Sequence, residues 1–156
     1  MGAHLFNRCW PAMWLASLAL VWLIQPSAAA ELAQPPDSAA QERAERLIRE
    51  VYAHEYANLA KSRADLAARL LQQGKSVSED LAMKFVALRE SRDLAADAGD
   101  TKTAMAAVET IGEVFAVDSV EMRATALIKL ASKATTYESK SALAFAAEET
   151  DRKSVV

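Results

Sequence analysis

Cysteine is all but missing: the 156 residues include one, Cys9. It precedes the apolar run of residues 11–24, whereas a lipoprotein cysteine would follow such a run. No disulfide framework and no thiol nucleophile can be built from what remains. Only four prolines are present, none after Pro36, so no residue beyond that point forbids a helix. Histidine is limited to two residues. His54-Glu55 lacks the second histidine of an H-E-x-x-H motif, so no zinc-protease site is expected, and His54 projects from the polar side of its helix. A serine with a histidine base, a glycine-rich phosphate loop and the Glu-x-x-His pairs of a di-iron bundle are all absent. Valine and isoleucine are sparse and never alternate over a strand's length, which argues against a sheet.

Large side chains are also few. Apolar residues make up 52% of the chain, but many are alanine, so the core must come from close helix-to-helix contact. All three tryptophans (Trp10, Trp14 and Trp22) lie in the first thirty residues. That segment reads as a signal peptide over 1–30. Arg8 gives the charged start, PAMWLASLALVWLI the apolar run, and Pro26 a helix break. Ala28 and Ala30 then form an A-x-A cleavage site before Glu31. The apolar run is shorter than the ~20 residues that span a bilayer. The chain is therefore expected to be exported, periplasmic or extracellular, with no stable membrane span after cleavage. An uncleaved N-terminal anchor is the alternative. Loss of Arg8 leaves 17 basic and 21 acidic side chains, a net charge of −4. This acidic balance disfavours nucleic acid or an anionic membrane surface as partner.

The organising stretch runs from Ser78 to Asp118. It reads as two amphipathic helices with Gly99-Asp100 as the hairpin turn between them. Gly99 suits the positive φ of a helix C′ position, and Asp100 can accept from the free N–H groups of the next helix. The flanks read as further copies. Residues 31–37 form a linker stiffened by Pro35-Pro36. Ser38 with Gln41 is a capping box that opens a helix running to about Ala60, with Ala44, Leu47, Ile48, Val51, Tyr52, Tyr56 and Leu59 on its apolar side. Ser62 is the expected cap of the next helix, which carries Leu66, Leu70 and Leu71 and stops at Gly74, closing a first hairpin. Ser76 or Ser78 opens the central helix, with Leu81, Phe85, Leu88, Ala95 and Ala96 on one side. Its partner presents Ala104, Ala107, Val108, Ile111 and Phe115, and Gly112 would permit a close crossing.

Asp118 with Glu121 opens a fifth helix, its face formed by Val120, Ala124, Leu127, Ile128 and Ala131. Thr135 with Glu138 opens a sixth, of weaker periodicity, before a frayed tail at 153–156. The expected fold is all-α: about six helices as stacked antiparallel hairpins over 38–152, each hairpin about forty residues after the last.

Charges on the apolar faces give one sharper expectation. Glu55 falls near the middle of its helix's stripe, Arg92 in the middle of another, and Arg89 beside it. An unpaired buried charge costs several kcal/mol, roughly 3–5 when one partner is removed. A Glu55–Arg92 ion pair fixing the register between hairpins is therefore expected. The rival reading has Arg89 and Arg92 binding a small anion or carboxylate ligand. Glu42–Arg46 and Glu45–Arg49 have the favourable i,i+4 order and read as a solvated ladder.

The hairpin resembles a tetratricopeptide repeat at Ala98 to Asp100, Ala104 and Val108, though the aromatic and Leu-Gly signature of that motif's first helix is missing. At VYAHEY (Val51 to Tyr56), ARLLQQG (Ala68 to Gly74) and FVALRESRDLAADAGD (Phe85 to Asp100), the chain also resembles a helical module of exported planctomycete proteins. The pattern L-R-E-x-R-D-L-A-x-x-A-G-D stands in full at Leu88 to Asp100, and F-x-V-D follows at Phe115 to Asp118. The resemblance covers residues 40–134. It implies pattern positions at Glu55, Arg89, Arg92 and Asp93, with no assigned activity, metal or cofactor. In proteins of this kind the module stands ahead of other extracellular domains, so this chain reads as a stand-alone module or a shortened gene product. The expected function is non-catalytic: a protein–protein interaction or scaffold module.

Overall fold

Short polar side chains set where the helices begin. The computed structural model describes residues 31–154, and within them every regular element is helical. The signal-peptide reading, with Ala28 and Ala30, lies outside the described residues, as do the last two residues of the tail. α1 spans Ser38–Val51, α2 Ala53–Ala57, α3 Leu59–Ser76, α4 Leu81–Ala98, α5 Thr101–Val114, α6 Ser119–Ala131 and α7 Tyr137–Ser154. Aspartates cap four of them. Asp37 accepts from the N–H of Ala40, Asp80 from Met83, Asp100 from Thr103, and Asp118 from both Val120 and Glu121. Each satisfies donors that a helix start leaves free, worth about 1 kcal/mol apiece.

Several boundaries depart from the sequence reading. Asp37 takes the cap expected of Ser38, and Gln41 turns instead to the Pro36 carbonyl. Asp80, not Ser76 or Ser78, opens α4. Thr136, not Thr135, opens α7, trading hydrogen bonds with Ser139 in place of Glu138. Residues 153 and 154 continue α7, so the tail is helical there, and Lys153 is held by Glu109 and Glu149.

The helix expected from Ser38 to Ala60 is broken twice. Tyr52 (φ −104°, ψ 27°) and Asn58 (φ −117°, ψ 28°) leave helical geometry without any proline. Tertiary contacts hold the bends: Tyr52 Oη bonds Gln73, and Ser62 Oγ donates to the carbonyls of Glu55 and Asn58. Ser62 therefore closes the bend from inside α3 and is not its cap. The short α2 folds back along α3, while α1 packs on α4. The first hairpin expected of two long helices is thus replaced by a bent segment clasping the α3–α4 pair.

α4 is the hub, in contact with α1, α3, α5 and α6. It runs antiparallel to α3: Ser91 meets Ala67, and Leu88 meets Gly74. Gly74 is buried and does not end α3, which continues to Ser76. At the other end of α4, Gly99 adopts φ +77° and closes the turn, with Asp100 N–H bonded to the Ala95 carbonyl. This is the glycine C′ geometry expected there. α5 then returns antiparallel, burying Ala104, Ala107, Val108, Ile111 and Phe115. Phe115 meets Phe85 edge to face, with ring centroids 5.0 Å apart. Such pairing adds about 0.5–1.5 kcal/mol to simple burial.

At Phe115 the backbone turns extended and frees the last carbonyls of α5. Ala33, in the expected linker, takes one of them: its N–H donates to Val114 O, and its carbonyl accepts from Ala116 N–H. The two bonds strap the N-terminal segment to the end of α5.

On α6 the buried face is Arg123, Ala126 and Leu130, while Val120 and Ile128 of the expected face are exposed. Arg123 reads as polar, but its methylene stem supplies apolar surface, so the true stripe is hidden from a residue-type pattern. Gly112 of α5 comes close to Ser119: an added Cβ would lie 3.0 Å from the Ser119 Cβ. α7 completes the body, in contact with α5 and α6.

Candidate functional site

Two polar regions stand out, one built around the residues expected from sequence and one not foreseen. The first lies where α1 crosses α4, with Tyr56 of α2 reaching across to Glu90. Arg89 donates to Gln41 Oε1 (2.8 Å) and to Glu45 Oε2 (2.9 Å), and its guanidinium is also 3.6 Å from Glu90. Glu45 in turn holds Arg49 at 2.9 Å, the one rung of the expected i,i+4 ladder that forms an ion pair among the described residues. Arg49 lies 4.9 Å above the Tyr56 ring and 3.8 Å from Glu90. The Tyr56 hydroxyl donates to Glu90 at 3.0 Å. Two arginines, two glutamates, a tyrosine and a glutamine thus bond one another across three helices. Burial raises the Tyr56 pKa, and the field and hydrogen bond of Glu90 raise it further. For Arg49 burial opposes the charge, but the bond to Glu45 and the field of Glu90 outweigh it, and its pKa is raised.

The expected Glu55–Arg92 pair is not made. Glu55 meets Arg69 of α3 at 2.8 Å, because α2 folds back along α3 and carries Glu55 to that neighbour. Arg92 grips the adjacent Asp93 with two bonds of 2.9 and 3.0 Å. The structure therefore brings Arg92 together with Asp93 and Arg89 together with Glu45, and leaves Glu55 elsewhere. Gly99 and Asp100 sit at the turn as expected. Lys129 of α6 reaches Asp97 at 3.1 Å, tying α6 to the end of α4.

The second region is a cavity of about 370 Å³ between α5 and α7. Met105 and Ala106 of α5 face Ala142, Phe145 and Ala146 of α7 across it. Thr101 and Lys102 stand on the same wall as Met105, one turn earlier, and Glu109 and Glu149 also border the space. Lys153 bridges those two carboxylates at 3.2 and 2.8 Å. Its hydrogen bond and charge lower the Glu149 pKa, with a smaller contribution from Arg123. Arg123 enters the cavity from α6. It is 7% exposed and has no hydrogen bond or ion pair from its side chain among the described residues. Nothing in the residue pattern flagged it, because it sits off the stripe read from Val120 and Ile128.

Among the described residues, no group of three or more His, Cys, Asp and Glu side chains is placed to hold a metal ion. No described helix is long and apolar enough to cross a membrane. No family model matches the chain, and neither a curated protein nor a solved structure matches it.

Proposed function

We propose that this chain is an exported, non-catalytic helical-repeat module that acts by binding another protein as an interaction or scaffold unit. The observation that carries the reading is the outer face of α7. Tyr137 is 89% exposed and Phe145 69%, and both border one open depression with Glu138, Ser141 and Ala142. Aromatic side chains left in water beside a concave surface are what protein interfaces bury first. Caps at Asp37, Asp80 and Asp118 recur at intervals near forty residues, and the α4–α5 hairpin turns at Gly99, which favours a tetratricopeptide-like surface for binding although the first hairpin is bent. The resemblance to an exported planctomycete module supports export and assigns no activity. Arg89 and Arg92 are engaged by Glu45 and Asp93, which weighs against their use as a ligand site.

The test is co-purification from an extracytoplasmic extract, comparing the wild-type chain with a Tyr137→Ser/Phe145→Ser variant. A discrete partner should be retained by the first and lost by the second at unchanged thermal stability. Equal retention by both would contradict the reading. Export is checked separately: the recovered chain should begin at Glu31.

A further inference from the structure

We propose that the cavity between α5 and α7 is a binding site for a small organic monoanion, a carboxylate with an apolar body, anchored by Arg123. The cavity shares Ala142 and Phe145 of α7 with the depression of the protein-binding reading, but the proposal rests on Arg123, which that reading does not use.

A guanidinium carries five N–H donors and no acceptor, and it does not give up its proton in proteins. An arginine this far removed from water is ordinarily paired, because leaving the charge without an acceptor is costly. Arg123 has no such partner among the described residues, although its residue is nine-tenths buried. Yet among those residues no buried side-chain nitrogen is both sealed and unbonded. The guanidinium nitrogens therefore keep contact with open space, and Arg123 is among the residues that line the cavity.

The nearby carboxylates make no bond to it, although the field of Arg123 reaches Glu149. Glu109 and Glu149 both bond Lys153, at 3.2 and 2.8 Å. Lys102, the other cation at the cavity, adds positive potential. An acceptor is thus to be supplied from outside, and a carboxylate matches the planar fork of a guanidinium with two parallel hydrogen bonds.

The walls select the rest of the ligand. Met105, Ala106, Ala142, Phe145 and Ala146 offer an apolar lining that pairs with hydrocarbon and leaves a fully polar anion unrewarded. A space of about 370 Å³ lies within the range of small-molecule sites. One buried cation beside apolar walls is the arrangement that recognises one charged head and one apolar tail.

The probe is sodium octanoate, titrated into the purified full-length chain and followed by calorimetry and amide NMR. Octan-1-ol supplies the apolar body without the charge, and acetate the charge without the body. Octanoate should bind saturably at one site, with shifts confined to α5, α6 and α7, and tighter than either comparator. Arg123→Met keeps the stem and removes the charge, and should weaken octanoate by about tenfold or more. Ala142→Trp fills the mouth at an exposed position and should weaken it with Arg123 intact. If Arg123→Met fails to fold, the Ala142→Trp result decides. The proposal is overturned if octanoate does not bind, if octan-1-ol binds equally well, or if the folded variants bind octanoate as the wild type does.

Discussion

Gly74 of α3 lies so close to Leu88 of α4 that a Cβ added there would sit 2.6 Å from both Cγ and Cδ2 of the leucine. Leu88 is fully buried and has nowhere to retreat. Gly74→Ala improves helix propensity by about 1 kcal/mol but overpacks the crossing by about 1–3 kcal/mol. A net loss of stability is expected by urea denaturation. In a Leu88→Ala background the clash is gone, so the same change should become stabilising. Destabilisation of equal size in both backgrounds would show that the close approach is not the reason for the glycine.

The charged residues couple differently from the pattern read on helical wheels. Arg89 and Glu45 are bonded and half-buried, so a double-mutant cycle between them should return a coupling of about 1 kcal/mol. Glu55 and Arg92 have separate partners, Arg69 and Asp93. Their losses should add to within about 0.5 kcal/mol. A strong Glu55–Arg92 coupling with additive Arg89 and Glu45 would reverse the assignment.

These contrasts mark what was legible in the sequence. Gly99, Asp100 and Asp118 were readable because a cap is settled by residues two to five apart. The apolar stripe of α5 was readable because all its members are conventional hydrophobes. Gly74 reads as a stop by the same rule that correctly reads Gly99, and only the neighbouring Leu88 distinguishes a crossing from a cap. The bends at Tyr52 and Asn58 carry no proline or glycine and depend on Gln73 and Ser62, distant or across the break. Pairs such as Arg89–Gln41, 48 residues apart, follow from packing that no local rule contains. Arg123 was hidden because its burial rests on a stem that a charge label conceals.

Tyr56 links this packing to pH. Its pKa is raised by burial first and by Glu90 next, so the folded chain holds the phenol proton more tightly than the unfolded chain does. The contribution to stability is complete below the ordinary phenol pKa of about 10 and is lost as pH climbs above it. Tyr56→Phe should cost about 1.5 kcal/mol at neutral pH, the low end for a bond to a charged acceptor, and should flatten the fall in stability above pH ~10. Urea midpoints from pH 8 to 11, with absorbance at 295 nm for phenolate, check both. An unchanged slope in the variant would remove Tyr56 as the cause.

The most direct measurement of the proposed function is site-specific photo-crosslinking in cells that produce the chain. A crosslinkable residue is placed at Tyr137, on the exposed face of α7, or at Ala64, on the exposed side of α3. A binding module that works through α7 should give a discrete crosslinked protein from Tyr137 and none from Ala64. Identical products from both positions, or no product from Tyr137, would contradict it.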